Sequence, residues 1–301
     1  MYKIDLHTHT CISDGNQSPL RTLVRAYKSG VDILSITDHN TVNQYIVLQK
    51  QIKNCNGKNK EKINKILNKT KIIKGIEITC SYKKYLIDIL GYNFDIKKMQ
   101  RNLSKLNKNL PNKNEILRNG FLEIIKKHNL KFDISLLDNS STLSSIFFEE
   151  IKKHKENEHL FRNIYTLKQF LQQLNNKSSP FYIDLSVTHP SLEKTISCIH
   201  LSGGLAFIAH VGRYSNRLKY ELDNIIACGL DGIEVWYPMH NKKMQEYLLN
   251  KVYMHELKAC GGSDNHYISE KGNCFGIGCI TVPNINETKW ILDSVNAKKV
   301  K

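Results

Sequence analysis

The residues best suited to chemistry arrive at the start of the chain: YKIDLHTHTCISDG (residues 2–15) sets His7, His9 and Asp14 within eight residues, directly after an apolar run. On an extended segment, residues two apart face the same side with Cα atoms roughly 7 Å apart, so both imidazoles can serve one ion or two neighbouring ions. The same residue types recur at later apolar runs. His39 ends DILSITDH, Glu77 reads as the end of the third strand, KIIKGIEI, Asp88 lies in YLIDILGY, His210 closes LAFIAH, and Asp264 and His266 follow ACGGS, again two apart. Five histidines and four carboxylates exceed what one ion needs, and mixed nitrogen and oxygen donors suit Mn²⁺, Zn²⁺ or Fe²⁺ better than Ca²⁺. The sequence lacks a G-x-x-x-x-G-K-[ST] phosphate loop and a G-x-S-x-G elbow, and HELKA at residue 255 lacks the second His of a zinc-protease helix. The chemistry this points to is metal-dependent, without a protein nucleophile. A lone H-x-H is a weak signal; its recurrence across separate elements carries the reading. His128, His154, His159, His189, His200 and His255 stand outside that pattern and read as ordinary hydrogen-bonded residues.

Such ligands need elements that deliver them to one place. YKIDL reads as a short strand, followed by a helix that Ser18 caps, Pro19 opens, Leu20, Leu23, Val24 and Tyr27 line, and Gly30 stops. DILSIT, KIIKGIEI and YLIDILGY read as further strands, and strands alternating with helices argue for a parallel sheet. From 97 to 180 the pattern changes to helix-length segments rich in Lys, Asn, Ser and Leu, interrupted by Pro111, Gly120 and DNSSTLSS. Alternation then resumes through LAFIAH, DGIEVW, ACGGSD and an extended GIGCITVP. The expected organisation is a first barrel part at 1–96, a mainly helical insertion at 97–180 and a second barrel part at 181–301. Ligands at strand C-termini fit this α/β class, because sites of such folds lie there. Only the closing AKKVK reads as disordered.

Composition narrows the partners. The chain has 301 residues, 41% of them hydrophobic, enough for a substantial core. No run of about 18 apolar residues and no cleavable leader are read, so a cytoplasmic protein with no membrane partner is expected. The eight cysteines form no C-x-x-C pair and read as reduced thiols. A formal charge of +16, carried mostly by Lys, favours polyanionic ligands.

Taken in order, DLHTHTCISDG, SITDHNT, GIEIT, AHVGRY and GGSDNH resemble the polymerase-and-histidinol-phosphatase (PHP) family of metal-dependent phosphoesterases. SLEKTISCIHLSGGLAFIAHVGRY, GLDGIEVWYPMHN and the helical insertion resemble its branch of 5′-3′ exoribonucleases and of phosphatases acting on AMP-like or 3′,5′-bisphosphate nucleotides. The resemblance implies a distorted (β/α)7 barrel and two or three divalent ions, usually Mn²⁺, with Zn²⁺, Fe²⁺ or Mg²⁺ as alternatives. It implies one ion on His7, His9, Glu77 and Asp264, a second on Glu77, His210 and position 88, and a third on Asp14, His39 and His266. Glu77, Asp264 and His210 would then be the catalytic core. The chain departs from the family where Asp88 replaces the usual His of HILG and where AHVGRY replaces AHPGRY. Arg213 reads as a phosphate fork or a surface ion pair, and His240 as a phosphate contact, a proton donor to the leaving oxygen or a rim residue. Asp38 reads as orienting a ligand. The implied activity is stepwise release of 5′-mononucleotides from short 5′-phosphorylated RNA, as in rRNA 5′-end trimming, with removal of 3′-phosphate from nucleotide bisphosphates. Two other readings stand beside it. One is a phosphatase of AMP or histidinol phosphate, and the other is a nucleotide or nucleic-acid binder without turnover.

Overall fold

Seven short strands, most with apolar or β-branched residues on buried faces, lie side by side in chain order in one sheet. The computed structural model describes residues 3–138, 142–267 and 275–296; Cys274 and the AKKVK tail lie outside them. β1 (Ile4–Asp5), β2 (Ile33–Ile36) and β3 (Lys71–Tyr82) pair in parallel. β4 (Tyr85–Tyr92) follows without a helix, after Lys83 and Lys84 turn the chain at φ 47° and 65°. It is antiparallel to β5 (Leu205–Ile208), beyond which β6 (Gly232–Trp236) and β7 (Lys258–Gly261) continue in parallel. The sheet comes round on itself: Leu6 N–H donates to Gly261 O at 3.1 Å and Asp264 N–H to His7 O at 2.8 Å. The result is the expected distorted, nearly closed seven-stranded α/β barrel, with the strict strand–helix alternation broken at β4. That reversal matters for the site, because the N-terminal half of β4 lies where neighbouring strands have their C-terminal ends.

The helices follow their sequence signals. In α1 (Pro19–Lys28) the Ser18 hydroxyl accepts from Arg21 N–H, Pro19 begins the first turn, and Gly30 at φ 73° lets the chain leave. Its Leu23 and Ala26 bury against Leu34 and Ile36 of β2 together with Leu48 of α2 (Asn43–Lys53) and Ile66 of α3 (Gly57–Lys69).

By contact density the chain divides into two compact units: the larger comprises residues up to Cys80, Leu86–Lys108 and the chain from Ser191 onward, the smaller Ser81–Tyr85 and Asn109–Pro190. Compared with the 97–180 segment read from sequence, α4 (Ile96–Asn107) belongs with the barrel. Its Met99 and Leu103 are buried and Asn102 Nδ2 donates to Ser202 Oγ at 3.0 Å. The smaller unit contains α5 (Lys113–His128), α6 (Leu143–Lys153), α7 (Glu158–Phe161) and α8 (Leu167–Leu174), and takes Phe181, Ile183 and Leu185 into its core. Phe121 and Phe147 stack there with ring centroids 4.1 Å apart. α9 (Leu192–Leu201), α10 (Asn216–Tyr220), α11 (Leu222–Ala227), α12 (Lys242–Met254) and α13 (Lys289–Asn296) complete the larger unit. GIGCITVP forms no strand; Gly278 N–H instead donates to Asp5 Oδ2 at 2.8 Å. No described helix is long and apolar enough to cross a membrane.

Candidate metal centre

The strand ends converge. His7 and His9 follow β1, His39 follows β2, His210 follows β5, and Asp264 and His266 follow β7; Glu77 does not end its strand as expected but lies inside β3, which runs on to Tyr82, and enters the site where His39 bridges to it in parallel. Asp88 joins them because Ala209 N–H, just past β5, donates to its carbonyl at 3.0 Å in the antiparallel β4–β5 pair. All nine residues singled out as ligands thus meet. Donor atoms of eight of them form three groups, each within 4.8 Å: His7, His9, Glu77 and Asp264; His9, Asp14, His39 and His266; and His39, Glu77 and Asp88, where His39 stands in place of the His210 that the resemblance implied. Glu77 is the hub, with Oε2 3.1 Å from both His7 Nε2 and His9 Nε2, and Oε1 3.0 Å from His210 Nε2. His210 Nε2 also lies 3.7 Å from Asp88 Oδ2, while Asp88 Oδ1 accepts the Thr79 hydroxyl at 2.7 Å.

The chemistry of this donor set fits divalent cations. His9 is fully buried, yet neither of its ring nitrogens has a hydrogen-bond partner. Nε2 sits 3.1 Å from Glu77 and 3.4 Å from Asp264, off the angles a hydrogen bond needs, and Nδ1 lies 3.7 Å from Asp14, beyond hydrogen-bond length. Buried polar groups crowded together without hydrogen bonds are costly, and a cation among them removes that cost. The protons show the same tension. Burial pushes the His9 ring down, yet the Asp264 and Glu77 carboxylates beside it raise it to about 9. Burial also opposes charge on Glu77, but His7, His210 and His9 hold it well below the usual carboxylate range. Asp14 is half-buried, which alone would raise it, and His266, His39 and His9 bring it to about 2.

Around the donors lies a shell that fixes them. His7 Nδ1 is 2.9 Å from Glu234 Oε1, so its proton is held there and Nε2 faces the cluster. The other Glu234 oxygen accepts His210 N–H at 2.7 Å. Sequence reasoning did not single out Glu234. Its signal was a lone carboxylate in the otherwise apolar GIEVW, the same G-I-E that carries Glu77. Asp38 accepts from Thr10 N–H and its hydroxyl, both at 2.6 Å, and from Ser13 at 2.7 Å, pinning the loop that brings Asp14. Gly262 is required where it stands, because a Cβ there would collide with the His7 backbone.

Arg213 and His240 sit at the edge of the cluster. Arg213 NH1 donates to Asp264 Oδ2 at 3.2 Å, and Tyr237 Oη donates to the same oxygen at 3.2 Å. His240 is buried with both ring nitrogens engaged: Nδ1–H donates to Val235 O at 2.9 Å, and Nε2 accepts Gly212 N–H at 2.9 Å. Its neutral tautomer is therefore set by the protein, and burial lowers its pKa. Here His240 acts on the turn that carries Arg213. His210 and Asp264, at the two ends of this edge, adopt φ of 28° and 52°, left-handed backbone that a folded site must hold in place.

Known proteins are similar to this chain. A 5′-3′ exoribonuclease of Haemophilus influenzae is 26% identical over 278 residues, covering 88% of this chain and 90% of its own. A 3′,5′-nucleoside bisphosphate phosphatase of Chromobacterium violaceum is 24% identical over 292 residues, covering 92% and 91%. Among solved structures, an amidohydrolase from Chromobacterium violaceum with bound sulfate superposes with a TM-score of 0.64 over 97% of this chain and 96% of its own, at 21% identity. The PHP domain model matches residues 5–226, a span from the aspartate of the first strand into α11. With that span covering well over half its length, the chain belongs to the PHP domain family.

Proposed function

We propose that this protein is a metal-dependent phosphoesterase that degrades short 5′-phosphorylated RNA from its 5′ end, releasing 5′-mononucleotides, and that also removes the 3′-phosphate of 3′,5′-nucleotide bisphosphates. The observation that carries the metal chemistry is the buried His9, without hydrogen bonds among three carboxylates. The names of the similar proteins, an exoribonuclease and a nucleoside bisphosphate phosphatase, support the substrate class. His7, His9, Glu77 and Asp264 would hold one ion, Glu77, His210 and Asp88 a second, and Asp14, His39 and His266 a third, with Mn²⁺ the preferred occupant. When bound, such ions supply Lewis acidity toward phosphoryl oxygens and lower the pKa of water.

The residues themselves do the rest. Glu77 reaches three histidines at once and keeps its charge, so it sets the spacing of the centre. Arg213, half-exposed and anchored on Asp264, presents a fixed cation beside the cluster to orient a phosphate. Tyr237 and Arg213 share one Asp264 oxygen, and this leaves Oδ1 toward His7 and His9. The second reading, a phosphatase of small nucleotides alone, draws on the name of the Chromobacterium violaceum relative.

Two measurements test this. Mn²⁺-loaded protein is incubated with a 5′-phosphorylated RNA pentamer and, separately, with a 3′,5′-nucleotide bisphosphate and AMP. Stepwise mononucleotide release that chelator stops is the expected result; phosphate release from the small nucleotides alone selects the phosphatase. Glu77→Gln should lower turnover by about a hundred- to a thousandfold, the scale of losing a core electrostatic group. Near-normal activity in that variant would overturn the metal assignment.

A further inference from the structure

Two helices lead away from the centre along one face of the larger unit. α10 begins three residues after Arg213, and α12 begins two residues after His240. Their starts are tied by the Gly212 N–H to His240 Nε2 bond at 2.9 Å, and they meet again where Tyr247 Oη donates to Lys219 O at 3.3 Å. α12 packs on β6, and its residues from Lys242 to Met254 extend about 18 Å at 1.5 Å per residue.

The outer face of this pair is unusual for a protein surface. Tyr220 at the end of α10 is 87% exposed, and Tyr247, Tyr253 and Met254 on α12 are exposed as well. Lys243, Tyr247, Lys251 and Met254 recur at three- and four-residue spacing, so they share one stripe of α12. Cations separate the apolar groups: Arg217 and Lys219 on α10, and Lys242 and Lys243 on α12, while Lys251 is held by Asp223 and lies over one face of the Tyr247 ring, 5.8 Å from its centroid, leaving the other face outward. Against them stand Glu221, Asp223 and Glu246, and Asp223 is already engaged by Lys251 at 2.7 Å and His255 at 2.8 Å. Aromatic rings alternating with cations match a single-stranded nucleic acid, whose bases stack on rings while its phosphates meet the charges.

We propose that this face is a track for single-stranded RNA on the 3′ side of the scissile bond. Tyr220 and Tyr247 are its stacking platforms, and Arg217 and Lys243 its phosphate contacts. This rests on the RNA-degrading reading above and deepens it, since it says where the strand lies while its 5′ terminus occupies the metal centre. It also makes the enzyme sensitive to RNA length.

The test compares a 5′-phosphorylated RNA hexamer with the corresponding dinucleotide, using Mn²⁺-loaded full-length protein. The hexamer-to-dinucleotide ratio of kcat/KM is expected to fall about tenfold or more in the Tyr220→Ala, Tyr247→Ala double variant, the scale of lost base stacking. An unchanged ratio overturns the track while leaving the enzyme assignment standing. If wild-type protein cleaves neither oligonucleotide but dephosphorylates a bisphosphate, both the track and the RNA reading fall. A charge variant, Arg217→Glu with Lys243→Glu, reads the same surface independently of the rings. Its dependence of log kcat/KM for the hexamer on log salt is expected to flatten by about one to two. A slope equal to wild type overturns the phosphate contacts.

Discussion

His7 is gripped on one ring nitrogen by Glu234, 2.9 Å away, and offers the other to the cluster. A carboxylate can only accept at that position when ionised, so it fixes the tautomer and the plane of the ring. In Glu234→Gln one amide oxygen replaces two acceptors, and either His7 or the His210 backbone N–H loses its partner. We expect Mn²⁺ affinity to drop by about 10- to 100-fold with the fold retained, measured by equilibrium dialysis beside circular dichroism. Unchanged affinity would reduce Glu234 to a packing residue. His9 makes a second prediction at this scale. Its pKa rises from 6.5 to about 9 in the metal-free protein, so the protonated ring lends stability that is full below 6.5 and lost as pH climbs to 9. Ligation requires the neutral ring. Ion uptake must therefore expel a proton below pH 9, and affinity should rise with pH across that window. Calorimetric titration at pH 7.5 in two buffers of different ionisation enthalpy should show proton release; identical heats would contradict this assignment.

At the level of elements, the site is built from strand ends, and that is why so much of it could be read without a structure. An apolar run followed at once by His or Asp marks the end of a buried strand, and His7, His9, His39, His210, Asp264 and His266 all carry that mark. Asp88 was legible as a residue but not in its placement. It sits within a strand, and only the reversal of β4 against β5 turns that position toward the others. Glu234 was hidden for the same reason: the centre of a buried strand gives no end signal. His240 shows a different limit. Its position after a strand suggested contact with substrate, but Val235 O and Gly212 N–H, which occupy its nitrogens, come from backbone that no side-chain pattern reveals. The turn it braces makes a test. A Cβ at residue 212 would lie 2.5 Å from His240 Cδ2, so Gly212→Ala must displace the ring or the turn that carries Arg213. With Arg213 moved on the ångström scale, kcat/KM should fall between about tenfold and a hundredfold. Bound metal, measured by elemental analysis, should stay at the wild-type level, because the ligands themselves are untouched. Loss of metal in this variant would show that the turn serves His210 instead.

Every residue of the metal centre lies in the larger unit, and the smaller unit has a hydrophobic core of its own. This division predicts that folding of the smaller unit and the chemistry of the larger one can be separated. Phe147 is fully buried in the smaller unit, stacked on Phe121 at 4.1 Å, with Phe132, Phe170 and Phe181 at 5.1, 5.8 and 6.4 Å. Removing the ring leaves a cavity among aromatic neighbours that are themselves too large to close over it, which costs about 3–5 kcal/mol. A helical unit whose stability rests on one such cluster has little to spare against that loss. Phe147→Ala should therefore expose α5 and α6 to hydrogen exchange and to limited proteolysis within residues 109–190. The barrel strands should keep their protection, and the Mn²⁺ stoichiometry should be unchanged. If protection of β1, β3 and β5 collapses along with that of α6, the two units fold as one cooperative body, and the metal centre depends on the insertion although it draws no ligand from it.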